Sequence, residues 1–196
     1  MKKADKKQML LEAASEAVRV KTALMEKSAE MMIDMASGLA MVLRRGGTIY
    51  LAGNGGSAAD CQHFATELVV RLSGKFERPS LPAVSLTSNG VLLTAAGNDY
   101  GFERIFARQV ESLVRRSDLL FLVSTSGNSK NLICAAQTAK KKKTQVYALL
   151  GGNGGKLKKY ADAAMVVPSR SVQRVQEEHI FIIHSLVQLI EQELFR

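Results

Sequence analysis

The run Leu119-Leu120-Phe121-Leu122-Val123 constrains this chain most. Five apolar residues stand together without a polar alternate, and Ser124-Thr125-Ser126-Gly127-Asn128-Ser129 follows at once. A strand with one wet face alternates apolar and polar residues, whereas an unbroken apolar run belongs to a strand covered on both faces. Such a strand sits inside a parallel sheet, with helices of βαβ units above and below it.

The flanking segments fit that reading. Thr48 to Ala52 is a β-branched and aromatic strand, turned by Gly53-Asn54-Gly55-Gly56. From Ser57 onward Ala58, Phe64, Ala65, Leu68 and Leu72 take helical spacing. Leu81 to Leu86 predicts a second strand, with a short helix to about Ala96, a turn cluster from Gly97 to Phe102, and a helix to about Arg116. Gln145 to Leu150 and Ala164 to Val167 supply two more strands, and Gln173 to Phe195 an amphipathic final helix. Ahead of all these, Asp5 to Leu43 is helical in pattern, without proline and without glycine until Gly38, and predicts two helices or one bent helix. The expected fold is α/β: a three-layer, doubly wound, five-stranded parallel sheet with an N-terminal helical extension. One domain over 1–196 is expected, with helices over 1–45 and the α/β core and final helix over 46–196.

Two cysteines, Cys61 and Cys134, suit buried free thiols in a reducing compartment. No apolar run approaches a membrane span, and the basic start leads into amphipathic sequence, so the expected location is the cytoplasm with no membrane partner. The net charge of +9 concentrates in the first lysines and in Lys140 to Lys143. The second run ends a predicted helix, where cations suit the dipole, and no aromatics interleave with it, so no nucleic-acid partner is expected.

Ligands of such sheets sit at the carboxyl ends of the strands. Two segments fall there. The turn Gly53 to Gly56 followed by Ser57 places free N–H groups at a helix start, a ready anion site. Gly53-x-Gly55-x-x-Ala58 formally matches a dinucleotide fingerprint, but Ser85-Leu86-Thr87-Ser88 brings no carboxylate for a ribose, and no Walker lysine follows. The hydroxyls of Ser124, Thr125, Ser126 and Ser129 form a second anion cradle, suited to a phosphate monoester. On the helix that Ser57 opens, His63 and Glu67 share one face. The last helix adds Gln176, His179 and His184. Gln176 and His184 point within about 80° of each other but stand about 12 Å apart along the axis, so they converge only with both side chains extended. His179 sits away from His184 as a packing or supporting residue.

These motifs, GNGGSAADCQHFATEL, GNDYGF, STSGNS and the Gln176 to His184 pattern, resemble the sugar-isomerase (SIS) domain family over nearly the whole chain. They are most similar to its branch acting on heptose phosphates. The resemblance implies a flavodoxin-like SIS fold, a homotetramer with a helical bundle, and sites at subunit interfaces. It implies conversion of sedoheptulose 7-phosphate to D-glycero-D-manno-heptose 7-phosphate through an enediol, towards bacterial lipopolysaccharide. It also implies one zinc ion per subunit on His63, Glu67, Gln176 and His184. Glu67 would be the base and His184 the acid. Asn54, Gly55, Gly56, Ser57, Arg71, Asn98, Asp99, the serine loop and Gln176 would hold the substrate. Two positions depart from the pattern: Gln173 replaces a frequent aspartate, and Ser88-Asn89 replaces a more acidic pair. A non-catalytic branch of the same family binds a replication initiator, but lacks the glutamate and final histidine that this chain keeps as Glu67 and His184.

Overall fold

The structure, a computed structural model, describes residues 2–196. Helix α1 (Lys3–Arg44) is one uninterrupted 42-residue helix rather than two. Gly38 does not break it, because the Tyr147 ring packs against its bare Cα and leaves no space for a Cβ. The helix stops where Gly46 takes φ +75°: the Gly46 N–H bonds to the Leu43 carbonyl and the Gly47 N–H to the Val42 carbonyl, each at 3.0 Å. That pairing closes the last turn with glycine in the left-handed position.

Strand β1 (Ile49–Gly53) leads into α2 (Gly56–Val69), β2 (Ala83–Ser85), α3 (Gly90–Tyr100) and α4 (Ile105–Leu113). Then come β3 (Leu119–Ser124), α5 (Lys130–Lys141), β4 (Gln145–Gly151), β5 (Ala163–Val167) and α6 (Val172–Phe195). The five strands are all parallel in the order β2-β1-β3-β4-β5, so β3 lies at the centre and every residue of it is buried.

Alternate residues of each strand feed two cores. Ile49, Leu51, Leu119, Phe121, Leu149 and Met165 pack with α1, α2 and α6. Leu120, Leu122, Val146, Ala148 and Leu150 pack with α3, α4 and α5. Phe64 of α2 meets Phe121 edge-on at 5.2 Å, which seats α2 on the central strand.

Three boundaries differ from the sequence expectation. The second strand shrinks to three residues at the sheet edge, since Pro82 has no N–H to donate. The expected turn at Gly97 is instead the last turns of α3: the Gly97 Cα faces Ile105 with space to spare, and the chain turns only at Gly101, φ +81°. Helix α4 stops at Leu113, where Val114 becomes extended. Both cysteines are free, Cys61 buried and Cys134 partly so. No helix among the described residues is long and apolar enough to cross a membrane.

Candidate active site

At the carboxyl edge, β1 and β3 are neighbours and Gly53 pairs with Val123, so the loops that follow them stand side by side. Gly55 turns the first with φ +55°, and the Ala58 N–H bonds back to the Gly55 carbonyl at 3.0 Å. The N–H groups of Gly56 and Ser57 stand ahead of the helical ladder, at its positive end. Ser57 is buried beneath them. In the second loop the Gly127 N–H donates to Ser124 Oγ at 3.1 Å, and the Asn128 N–H to Ser126 Oγ at 3.2 Å. Ser124 and Ser129 hydroxyls lie 3.4 Å apart. Gly127 takes φ +62° directly against the Gly154 carbonyl, so any side chain there would displace the loop. Thr125 and Ser126, with Gly152, Ser169 and Arg170, line a cavity of about 590 Å³ at the strand ends.

Asn54 and Asn131 tie the first loop to the start of α5 through reciprocal amide bonds of 2.9 and 2.8 Å. The Asn54 amide is therefore spent on Asn131. Asn98 and Asp99 lie in the last turn of α3, exposed and bonded to each other at 2.8 Å. The next turn of chain reaches the start of α5 through a Glu103–Lys130 pair at 2.8 Å, so Asp99 stays near this edge. Arg71 points to Glu77 at 2.7 Å, both at the surface.

Farther along α2 the chemistry changes. His63 Nε2 lies 2.9 Å from His184 Nε2 and 3.3 Å from Glu67 Oε1. The ligand atoms of these three residues all fall within 4.8 Å of one another. Glu67 Oε2 is buried and has no hydrogen-bond partner. Two imidazole nitrogens and a carboxylate oxygen, one of its pair unsatisfied, are a donor set that fits zinc. Gln176 is not with them in the chain as it stands. Its amide lies on the bare Cα of Gly56, two turns of α2 earlier, where a Cβ would run into Gln176 Nε2. Gln173 is exposed and accepts from the Ser171 hydroxyl at 3.0 Å.

Two residues escape a reading of the sequence alone. Asp60 shares the α2 face of Gly56, His63 and Glu67 by its spacing. Its Oδ2 is buried without a partner, and desolvation pushes its carboxyl up to about 6, partly opposed by His63. The 4-3-4 spacing from Gly56 to Glu67 is the signal that could have found it. Arg78 is the other, hidden in a loop. Its fully buried guanidinium donates to Glu191 Oε1 of α6 at 2.8 Å. It also reaches the α2 carbonyls of Leu68, at 2.8 Å, and Glu67, at 2.7 Å. It thus braces the helix that carries Glu67 against the helix that carries His184.

The SIS domain family model matches residues 14–151. A phosphoheptose isomerase of Sulfurimonas denitrificans is 50% identical over 164 residues, 83% of this chain and 83% of that one. The chain belongs to the phosphoheptose isomerase family. Two solved phosphoheptose isomerases share its architecture. The one from Neisseria gonorrhoeae is 38% identical, covers 95% of this chain and 98% of its own, and superposes with a TM-score of 0.88. The one from Francisella tularensis is 34% identical, with coverage of 98% and 100% and a TM-score of 0.90. The five-stranded parallel sheet behind a long first helix is thus the SIS fold as phosphoheptose isomerases carry it.

Proposed function

We infer that this chain is a phosphoheptose isomerase, interconverting sedoheptulose 7-phosphate and D-glycero-D-manno-heptose 7-phosphate. The observation that carries the reading is the joining of an anion cradle to His63, Glu67 and His184 along one helix, α2, in a chain 50% identical to a phosphoheptose isomerase. The phosphate would lie between the α2 start and the serine loop, held by N–H groups and hydroxyls that need no fixed metal. The sugar would then run along the α2 face towards Glu67, about 15 Å from Ser57 by helical rise. Gln176, over Gly56, would meet its middle.

Aldose–ketose exchange needs a base on the carbon next to the carbonyl and an acid on the oxygens. Glu67 Oε2, free of partners, would take the proton from C1 of the ketose and return it to C2 of the enediol. His184 would move the second proton between the two oxygens. His63, Glu67 and His184 would hold zinc, with Gln176 as fourth ligand after turning from Gly56, and zinc when bound would polarise the carbonyl. The Glu67 carbonyl bond to Arg78 keeps the base from shifting along the helix.

We further propose a homotetramer with sites between subunits, acting in the cytoplasm. The first half of α1 supports this. Met9, Leu10, Leu11 and Val18 are each more than half exposed, on a helix about 63 Å long by its rise per residue. An isolated helical stretch of that kind is marginal in water, so apolar partners from other copies would complete it.

Conversion run in deuterium oxide tests the chemistry. Wild-type protein should place deuterium on the carbon next to the new carbonyl, and Glu67→Gln should neither convert nor exchange. Turnover retained by Glu67→Gln would remove the assigned base.

A further inference from the structure

The amino edge of the sheet, opposite the active site, holds a larger cavity of about 840 Å³. Arg45, Arg115, Arg116 and Lys143 line it, with Ser117 and Gln145 between them. Among the described residues none of these four cations has a carboxylate within ion-pairing distance, whereas Lys140, in the same lysine run as Lys143, does. The lysine run at 140–143 thereby divides by role. Lys140 pairs with Asp162 at 2.6 Å, and Lys142 donates to the α4 carbonyls of Val110, at 3.0 Å, and Glu111, at 2.6 Å. Lys143 alone goes to the cavity. It is the one non-glycine residue with positive φ, +59°, among the described residues.

The walls are built rather than loose. The Asp118 carboxylate is buried and takes the Arg115 N–H at 2.7 Å and the Thr48 N–H at 2.9 Å, so it fixes the arginine turn and is spent on backbone donors. The buried Thr144 hydroxyl donates to the Arg115 carbonyl at 3.1 Å, which joins the Arg115–Arg116 turn to Lys143. Tyr147 on the inner wall feels the charges of Asp162, which is already paired, and of Asp34. Four cations outside any ion pair, around a cavity of ligand size, suit more than one phosphate group.

We propose that this cavity is a second anion site, which takes a small molecule carrying two or more phosphate groups. It lies the length of β3, about 20 Å, from the serine loop, so it is separate from the sugar-phosphate site. The probe is inorganic pyrophosphate, titrated into the full chain by calorimetry at low ionic strength. Wild-type protein should bind it, and bind orthophosphate more weakly. Because all four cations are exposed, Arg116→Ser with Lys143→Gly should leave the fold and the isomerase turnover intact while weakening pyrophosphate at least tenfold. Ser126→Ala, at the other edge, should weaken the sugar phosphate and leave the pyrophosphate titration unchanged. No pyrophosphate binding by the wild type would overturn the proposal. So would equal affinity in the double variant, or loss of pyrophosphate binding only in Ser126→Ala.

Discussion

His63 Nε2 and His184 Nε2 face each other at 2.9 Å across the seam of α2 and α6, from positions 121 residues apart. Glu67 Oε1 approaches the same His63 nitrogen at 3.3 Å. Three lone-pair donors directed at one small volume repel one another unless a proton or a cation stands between them. Zinc supplied at about a hundredfold its Kd should therefore stabilise the protein by about 2.7 kcal/mol. Thermal unfolding with and without zinc checks this, and His63→Ala should erase the shift.

Arg78 predicts a structural loss that reaches the site. Removing one partner of a buried pair leaves the other charged and unpaired, at about 3–5 kcal/mol. Arg78→Leu strands Glu191 and two α2 carbonyls, so its unfolding free energy from denaturant titration should fall by that order. Arg78→Lys should recover little, because an ammonium cannot span the three acceptors that the guanidinium fork reaches.

His179 predicts a pH dependence. It is fully buried, and burial pushes its imidazole down to about 4, with the Leu150 backbone partly opposing. The unfolded chain takes up this proton near pH 6.5, while the folded chain refuses it until about 4. Stability is thus fully present above about 6.5 and is lost as pH falls towards 4, by up to about 3 kcal/mol. Unfolding curves of wild type and His179→Leu from pH 7 to 4 should converge or cross in that sense. The contribution of Asp60 has the opposite sign and cancels in the difference.

Asp60 predicts an exchange of stability for activity. Its carboxyl is raised to about 6, so the folded charge is disfavoured and the penalty is complete only above that pH. Asp60→Asn should stabilise the protein at pH 8 by about 1 kcal/mol, since the group remains partly solvated and the full shift is screened. The same change should lower turnover, because Asp60 stands on the α2 face between the Gly55–Ser57 turn, the proposed phosphate site, and Glu67. Melting temperature and kcat measured on one preparation check both halves.

Much of this architecture is written locally. The unbroken run Leu119 to Val123 marks the buried central strand, and glycine and serine turns directly after strands mark the anion cradle. Local pattern fails where tertiary contact decides. Gly38 stays helical with Tyr147 packed against it, and Gly97 lies inside α3 with the turn deferred to Gly101, neither of which spacing reveals. Arg78 looks like any loop arginine until α2 and α6 are side by side. Gln176 and His184 suggest one cluster by helical angle, yet α6 runs along α2 in the same direction. Gln176 thus meets Gly56 while His184 meets His63.

The central claim is the reaction itself. Purified protein with zinc supplied should convert sedoheptulose 7-phosphate to D-glycero-D-manno-heptose 7-phosphate, and Glu67→Gln should abolish turnover while still binding the sugar phosphate. A wild-type protein that is folded, metal-loaded and inactive on sedoheptulose 7-phosphate would contradict the account.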